Sequence, residues 1–391
     1  MEERCSPAMF KRFCGAADAL DMLISRSQPL QRTEVLHTRL ADGRVLSQDI
    51  FSPVGLPGFD RAAMDGFAVR SEDTRGARPH APVFLERFQA MRTGNPVPGQ
   101  YDAVVMLEDC NLRGGILEVT AQLHPFKNVS RIGEDIAAGE KIFSNGHTLR
   151  PPDLSLLSAL GIGDVEVYGR PNVAIIPTGN ELLDIGSRPL RPGEAYETNS
   201  LMARLYAQKW GASVNKTEIV PGDESLIRKA VAENENADLI IIIGGTSVGE
   251  GDYVPGILAE MGKLLVHGVR LQPGKPTAIG VVGGKPVVCL PGYPVAMLFD
   301  LYLFVRPALQ RIGRRSDIQP KVRAALARKI PSRPGYQSLV RVALQGDRAE
   351  PIMISGAGIL SSVARADGFV VVSEAKEGLE AGEMVDVLVF E

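Results

Sequence analysis

Asp238 to Tyr253 reads DLIIIIGGTSVGEGDY, and its interpretation decides the fold. Five apolar, mostly β-branched residues come first, Leu239 to Ile243. Such a run predicts a strand buried on both faces, as in a parallel sheet. Gly244, Gly245, Thr246, Ser247, Gly249 and Gly251 follow, then Asp252. A glycine-rich turn at the carboxyl end of a parallel strand brings backbone N–H groups close to a ligand. In open α/β sheets that edge is where ligands bind. A helix predicted from about Tyr253 adds the positive end of its dipole. The stretch suits an anionic, phosphate-bearing molecule with a carboxylate close by. The plainer alternative is a tight strand-to-helix turn that binds nothing. It is not a common nucleotide loop. Gly244 and Gly249 have Walker spacing, but Glu250 and Gly251 stand where Lys and Ser/Thr are required, and a G-x-G-x-x-G fingerprint is absent.

Outward from this strand the pattern alternates strand and helix. Upstream, Val173 to Ile176 reads as a strand ending in Pro177-Thr-Gly-Asn-Glu-Leu182. Thr198 or Asn199 caps a helix through Trp210. Val214 to Val220 is a strand ending at Pro221-Gly-Asp223, and Glu224 to Glu233 is a helix. Downstream come a helix to Met261, a strand at Leu264 to Val269 and the loop Gln272-Pro-Gly-Lys-Pro276. Strands at Thr277 to Val282 and Pro286 to Leu290 follow, and Pro291-Gly-Tyr-Pro294 opens a long helix to about Ile312. This is a βαβ array with a mostly parallel sheet. The strand rule then places loops carrying Glu181, Asp223, Ser247, Asp252 and Lys275 on one rim.

Other characters flank the array. Gly15 to Arg26 has helical apolar spacing, and a second apolar pattern runs from Val35 to Ile50 before Pro53, Pro57 and Gly58 break it. PGFDRAAMDGFAV, Pro57 to Val69, sets Asp60 and Asp65 among small residues around Arg61. A carboxylate in such a setting needs a partner or a task; residue type alone favours an Asp turn or a helix cap. From Val83 to Val119 short β segments surround the turn-rich loop Met91 to Pro98. Arg131-Ile-Gly-Glu-Asp135 and a helix at Asp153 to Leu160 follow. Beyond Pro320 the chain alternates like a β domain of roughly 70 residues, with a short helix near Leu360 to Ala364. The expected division is an N-terminal elongated domain in two segments, 1–50 and 137–168, an inserted β domain at 51–136, a ligand-binding α/β domain at 169–316 and a C-terminal β-barrel-like domain at 317–391.

Composition narrows the class. A chain of 391 residues is too long for one core. Its 45% hydrophobic content is that of a soluble globular protein. A net charge of −3 provides no basic field for nucleic acid. No segment approaches the ~18 apolar residues of a membrane span. The start, MEERCSPAMFKRFCGAADAL, lacks an apolar signal core, which argues against export. Cys5, Cys14, Cys110 and Cys289 are scattered, which fits a reducing cytoplasm rather than a disulfide frame or a zinc site.

Eight motifs together carry a resemblance. PGFDRAAMDGFAV, RTGNPVP, RIGEDI, PTGNEL, ETNS, GGTSVGEGDY, PGKP and LPGYPVA occur in the order and spacing of the molybdenum insertase family. That family holds bacterial molybdopterin molybdenumtransferases and the E domain of gephyrin, and the similarity spans nearly the whole chain. It implies insertion of molybdate into adenylylated molybdopterin with release of AMP and a divalent cation, Mg²⁺. It implies catalytic roles for Asp60, Asp135, Glu181, Asp252 and Lys275, and cation ligation by Glu181, Asp223 and Asp252. Pterin or anion binding falls to Thr93, Thr178, Gly179, Gly244, Gly245, Ser247, Gly249, Pro273, Gly274, Pro291 and Gly292. It also implies a cytoplasmic homodimer in which the N-terminal motifs face the pterin domain of the other subunit, with molybdopterin adenylyltransferase and recipient molybdoenzymes as partners.

Four positions depart from the family pattern. Gln272 stands where many members have a second Lys, Tyr293 and Ala296 replace the Asn and Ser of LPGNPVS, and Asn180 replaces the Asp of TGDEL. These departures suit an altered oxyanion preference, such as tungstate, or a divergent paralogue. A non-catalytic pterin scaffold is the alternative of a different class.

Overall fold

The computed structural model describes residues 13–216, 218–246, 253–353 and 356–391. Ser247, Gly249, Gly251 and Asp252 of the glycine turn lie outside the described residues. The chain divides into two compact units, one taking the residues up to Glu34 with Tyr168–Glu391, the other Val35–Val167.

The first unit is built on a six-stranded sheet. Its strands are β1 (Asn172–Pro177), β2 (Ser213–Lys216), β3 (Leu239–Ile243), β4 (Gly262–His267), β5 (Ala278–Val282) and β6 (Lys285–Leu290), in the order β2-β1-β3-β6-β5-β4. The first four in that order are parallel. β5 runs antiparallel to β6, and β4 pairs antiparallel with β5 at the edge. β3 is buried along its whole length, as its unbroken apolar run predicts. Its side chains alternate between two cores. Leu239, Ile241 and Ile243 pack with Val173, Ile175 and Leu290 under the helices Ala16–Arg26, Asn199–Lys209 and Pro294–Ile312. Ile240 and Ile242 pack with Ile176 and Val287 under Glu224–Glu233 and Val254–Met261. The result is a three-layer sandwich. Each isoleucine so buried contributes roughly 1.5–3 kcal/mol.

Two elements differ from the expected pattern. β2 ends at Lys216 rather than near Val220. Pro177 has no N–H for the ladder, so the chains rejoin only through a bridge between Thr178 and Val220. There Val220 N–H donates to the Pro177 carbonyl at 2.9 Å. The long helix after Pro294 is α-helical to Asp300, opens into a π turn at Leu301–Val305 and resumes as Arg306–Ile312. Pro307 lacks the N–H that would close the preceding turn, and its ring clashes with the carbonyl four residues back.

Five further strands, β7 (Lys321–Leu326), β8 (Gln337–Gln345), β9 (Arg348–Met353), β10 (Gly368–Val372) and β11 (Met384–Val389), close into a barrel in the order β8-β9-β7-β11-β10 and back to β8. Closure is possible because β8 has nine residues. Its first half pairs with β10 and its second half with β9. Ala324, Val340, Val342, Val370, Val372 and Val387 fill the interior, and the ring leaves no strand edge free to aggregate. The pair Leu271–Gln272 adds in parallel to the start of β8, which ties the QPGKP loop to the barrel. Glu391 is a second tie. It accepts from the Trp210 indole N–H and from Arg306.

The Val35–Val167 unit holds two three-stranded sheets. Gly66–Val69 lies between Gln89–Met91 and Ala103–Met106, and Ile116–Val119 lies between Val83–Leu85 and Cys110–Arg113. A separate cluster of Leu46, Leu149, Leu157, Val165 and Val167 supports the helix Pro151–Ala159.

Candidate functional site

β1, β3 and β6 end level with one another, Pro177 opposite Ile243 and Ile243 opposite Leu290. The turns that follow interlock. Thr178 N–H donates to the Ile243 carbonyl at 2.8 Å, and Gly244 N–H donates to the Leu290 carbonyl at 3.0 Å. Gly244 has φ +95°, and a Cβ there would lie 2.6 Å from the Thr178 carbonyl oxygen. Only glycine meets both demands. Gly245 follows at φ +64°. Pro291 is buried and Gly292 exposed, and the Gly292 carbonyl accepts from Asn199 Nδ2 at 2.7 Å. Asn199 Oδ1 is buried with no hydrogen-bond partner among the described residues.

The QPGKP loop joins the same rim. β5 runs antiparallel to β6 with Ala278 opposite Cys289, so the residues just before Ala278 lie at the carboxyl end of β6. The Lys275 carbonyl accepts from Val269 N–H at 3.0 Å. Its Nζ stands 4.9 Å from the centroid of the Tyr336 ring, and the Arg333 guanidinium stands over the same ring at 4.9 Å. A ring quadrupole attracts cations on its face, so two positive groups gather beside the loop. Arg333 and Tyr336 were not legible as site residues, because they lie some 60 positions downstream in a turn of the barrel region.

Of the expected cation ligands, Glu181 and Asp223 lie on loops that are tied together. Gly179 N–H donates to the Val220 carbonyl at 3.1 Å, and Gly222 N–H donates to Asn180 Oδ1 at 2.9 Å. Asn180 therefore performs a task that an Asp at this position could share. Glu181 is exposed and folds back toward Gly179. Asp223 caps the helix Glu224–Glu233, accepting from the Ser225 hydroxyl and from Leu226 N–H. Those hydrogen bonds hold its carboxyl below the ordinary range. Among the described residues no group of three or more His, Cys, Asp or Glu could hold a metal ion. Asp252, like Ser247 and Gly249, lies outside the described residues.

The remaining departures also have positions. Tyr293 is 66% exposed and its ring rests on Gly358. Ala296 is buried in the first turn of its helix. In ETNS, neither Thr198 nor Asn199 caps the following helix with its side chain. Glu197 does so, accepting from Ser200 N–H at 2.7 Å and from the Ser200 hydroxyl.

The Val35–Val167 unit gathers its own motifs. Asp60 is half-buried and accepts from Ile132 N–H at 2.7 Å. Asp65 accepts from both the backbone N–H and the hydroxyl of Thr93, and these bonds lower its carboxyl below the ordinary range. Asp135 is exposed, with its N–H on the Leu56 carbonyl. Asp60 and Asp65 thus head no helix. Each holds a neighbouring motif loop, which is the partner their setting requires.

Comparison with known proteins agrees with this architecture. The chain matches the MoeA N-terminal region (domain I and II) at residues 15–161. It matches a probable molybdopterin binding domain at 174–311 and the MoeA C-terminal region (domain IV) at 323–390. It is 37% identical to a putative molybdopterin biosynthesis protein of Methanocaldococcus jannaschii, over 88% of this chain and 89% of that protein. It is 31% identical to the molybdopterin molybdenumtransferase of Haemophilus influenzae, over 91% of this chain and 93% of that protein. The crystal structure of the molybdopterin biosynthesis MoeA protein from Pyrococcus horikosii is similar at a TM-score of 0.84 and 33% identity, covering 97% of this chain and 100% of that one. The three matched regions in order, and identity at this level across the whole length, show that the chain belongs to the MoeA family of molybdopterin molybdenumtransferases, transferases of molybdenum cofactor biosynthesis.

Proposed function

We propose that this chain inserts molybdenum from molybdate into adenylylated molybdopterin and releases AMP. The observation that carries the reading is the convergence of the Gly244, Lys275 and Gly292 turns on one rim of the matched molybdopterin binding domain. At that rim the backbone of Gly245 and Thr246 offers N–H groups to a phosphate-bearing ligand, and Lys275 supplies a positive charge for phosphate or oxyanion. Thr178, Gly179, Pro273, Gly274 and Pro291 shape the backbone around it.

Mg²⁺ enters as the companion of the phosphates, with Glu181 the exposed carboxylate nearest to hand and Asp252 its proposed partner. Asp223 is already engaged as a helix cap, and the described carboxylates alone do not complete a cation site. Asp60, Thr93 and Asp135 act, in this reading, on the pterin domain of a second copy in a cytoplasmic homodimer. Molybdopterin adenylyltransferase supplies the substrate and recipient molybdoenzymes take the product.

The test is cofactor assembly in vitro from adenylylated molybdopterin with molybdate or tungstate, read as AMP release. The expected result is oxyanion-dependent release that Asp252→Ala cuts sharply while pterin binding persists. Pterin binding without AMP release under either oxyanion would overturn the enzymatic reading in favour of a scaffold. Release with tungstate alone would replace molybdate as the substrate, an altered preference with which the Gln272, Tyr293 and Ala296 departures are compatible.

A further inference from the structure

Asp300 is 0% exposed, in the helix that follows the Pro291–Pro294 turn, and it packs against the QPGKP loop. Its Oδ2 meets the Thr277 hydroxyl, and the same hydroxyl lies 2.7 Å from the Gly274 carbonyl oxygen. Thr277 is fully buried as well. Asp300 Oδ1 has no hydrogen-bond partner among the described residues, and it lies 2.8 Å from where a Cβ on Gly274 would stand. Gly274 has φ +121°, so both its conformation and the carboxyl beside it demand glycine.

We propose that Asp300, acting through Thr277, is the positioning residue that fixes the loop 272–276 and so aims Lys275, an inference that rests on the reading of Lys275 as the anion-holding side chain.

The argument is a count of protons. A threonine hydroxyl carries one proton. The Gly274 carbonyl can only accept, so the Thr277 proton goes to it. The contact with Asp300 then needs a proton from the carboxyl. Burial supplies the reason that the carboxyl keeps one. It is fully enclosed, no charged group among the described residues offsets the cost, and burial outweighs the Thr277 contact and pushes its ionisation well above the ordinary carboxylate range. An ionised Asp300 would be an uncompensated charge in the core. The chain of donors runs from Asp300 Oδ2–H to Thr277 Oγ1 and from Thr277 Oγ1–H to the Gly274 carbonyl. Lys275 follows directly, its own carbonyl held by Val269 N–H at 3.0 Å. With its backbone pinned on both sides, the lysine leaves the loop in one direction, toward the Tyr336 ring. Most of the ordering that anion binding would otherwise require is completed on folding.

The experiment compares the full chain with Asp300→Asn, Asp300→Leu, Thr277→Val and Thr277→Ser. It reads KM for molybdate and kcat of AMP release, together with amide hydrogen exchange over residues 271–278. Asp300→Leu and Thr277→Val are expected to raise KM about 10-fold, the size of one lost hydrogen bond, with a smaller effect on kcat. They should also speed exchange in the loop while the β3 amides stay protected. Asp300→Asn keeps a donor for Thr277, and Thr277→Ser keeps the hydroxyl, so both should stay within about 2- to 3-fold of the parent. Unchanged loop exchange and KM in Asp300→Leu would overturn the proposal, as would Asp300→Asn proving as damaging as Asp300→Leu. If Asp300→Leu does not fold, the contrast between Thr277→Val and Thr277→Ser decides alone. If the parent shows no oxyanion-dependent AMP release, the functional reading has failed, and loop exchange by itself decides whether Asp300 positions the loop.

Discussion

At the scale of the residue, Lys275 and Gln272 bear the sharpest expectation. A lysine donating to phosphate or oxyanion makes a charge-assisted hydrogen bond of about 1.5–3 kcal/mol. Lys275→Ala should therefore raise the molybdate concentration for half-maximal AMP release roughly 10- to 150-fold. Gln272 is exposed on the same loop and has no charge. Gln272→Lys should lower that concentration, more strongly at low salt, because ionic strength screens an added surface charge. If neither substitution moves it at two ionic strengths, the loop does not touch the oxyanion. A second residue sets a pH dependence. Burial pushes the Asp153 carboxyl up, but hydrogen bonds from Arg150 and His147 outweigh it and bring it down to about 2, from an ordinary 3.8. The folded pKa is the lower one, so its stabilisation is full above about pH 4 and is lost as pH falls toward 2. Asp153→Asn should cost about 1.5–3 kcal/mol at pH 7. Calorimetric melts of variant and parent should converge as the pH approaches 2, and a gap that persists there would assign the loss to packing instead.

At the scale of the element, the strands of the α/β sheet are joined at their amino ends by one carboxylate. Asp238 precedes β3 and is buried. It accepts from Asn172 N–H at 2.8 Å and from both terminal nitrogens of Arg32, with Lys285 Nζ at 3.7 Å. Three segments distant in sequence meet there. Arg32 is partly exposed, so solvent discounts the ion pair, but the backbone N–H left unpaired is not discounted. Asp238→Ala should cost about 2–3 kcal/mol. Trp210 is the one tryptophan of the chain and lies in this unit. Its fluorescence should show the urea midpoint falling with little change in slope. An unchanged midpoint would mean that the β1 and β3 ladder alone holds this edge. Helix and strand identities at this scale followed the apolar period closely. Glu224–Glu233, Val254–Met261 and Leu360–Ala364 lie where the apolar spacing places them, and of the three only the first is capped by a side chain, that of Asp223. β2 and the π turn at Leu301–Val305 departed, and in each a proline removed an N–H that the ladder or helix needed.

At the scale of the whole molecule, the proposed homodimer gives a direct measurement. Light scattering at working concentration should give about twice the 42.1 kDa of the chain. A single-chain mass would remove the second copy on which the proposed roles of Asp60, Thr93 and Asp135 depend. The sequence by itself determined the layered α/β array, because a both-faces-buried run such as Leu239–Ile243 has no other stable placement. It also placed the turns after β1 and β3 on one rim, since parallel strands end on one side. The eight motifs, legible as letters in order, carried the family. Only the tertiary structure decided what those letters touch. It put Asp60 on Ile132 and Asp65 on Thr93, gave Glu197 rather than Thr198 the helix to cap, and made a single ring, Tyr336, the seat of Lys275 and Arg333. It also buried Asp300 against Gly274, where its carboxyl meets the Thr277 hydroxyl. The reason is one of range. Periodicity and capping act over a few residues along the chain, whereas a hydrogen bond or a ring contact depends on distance in space, which segments such as Lys275 and Tyr336 acquire only when the sheet and the barrel have closed.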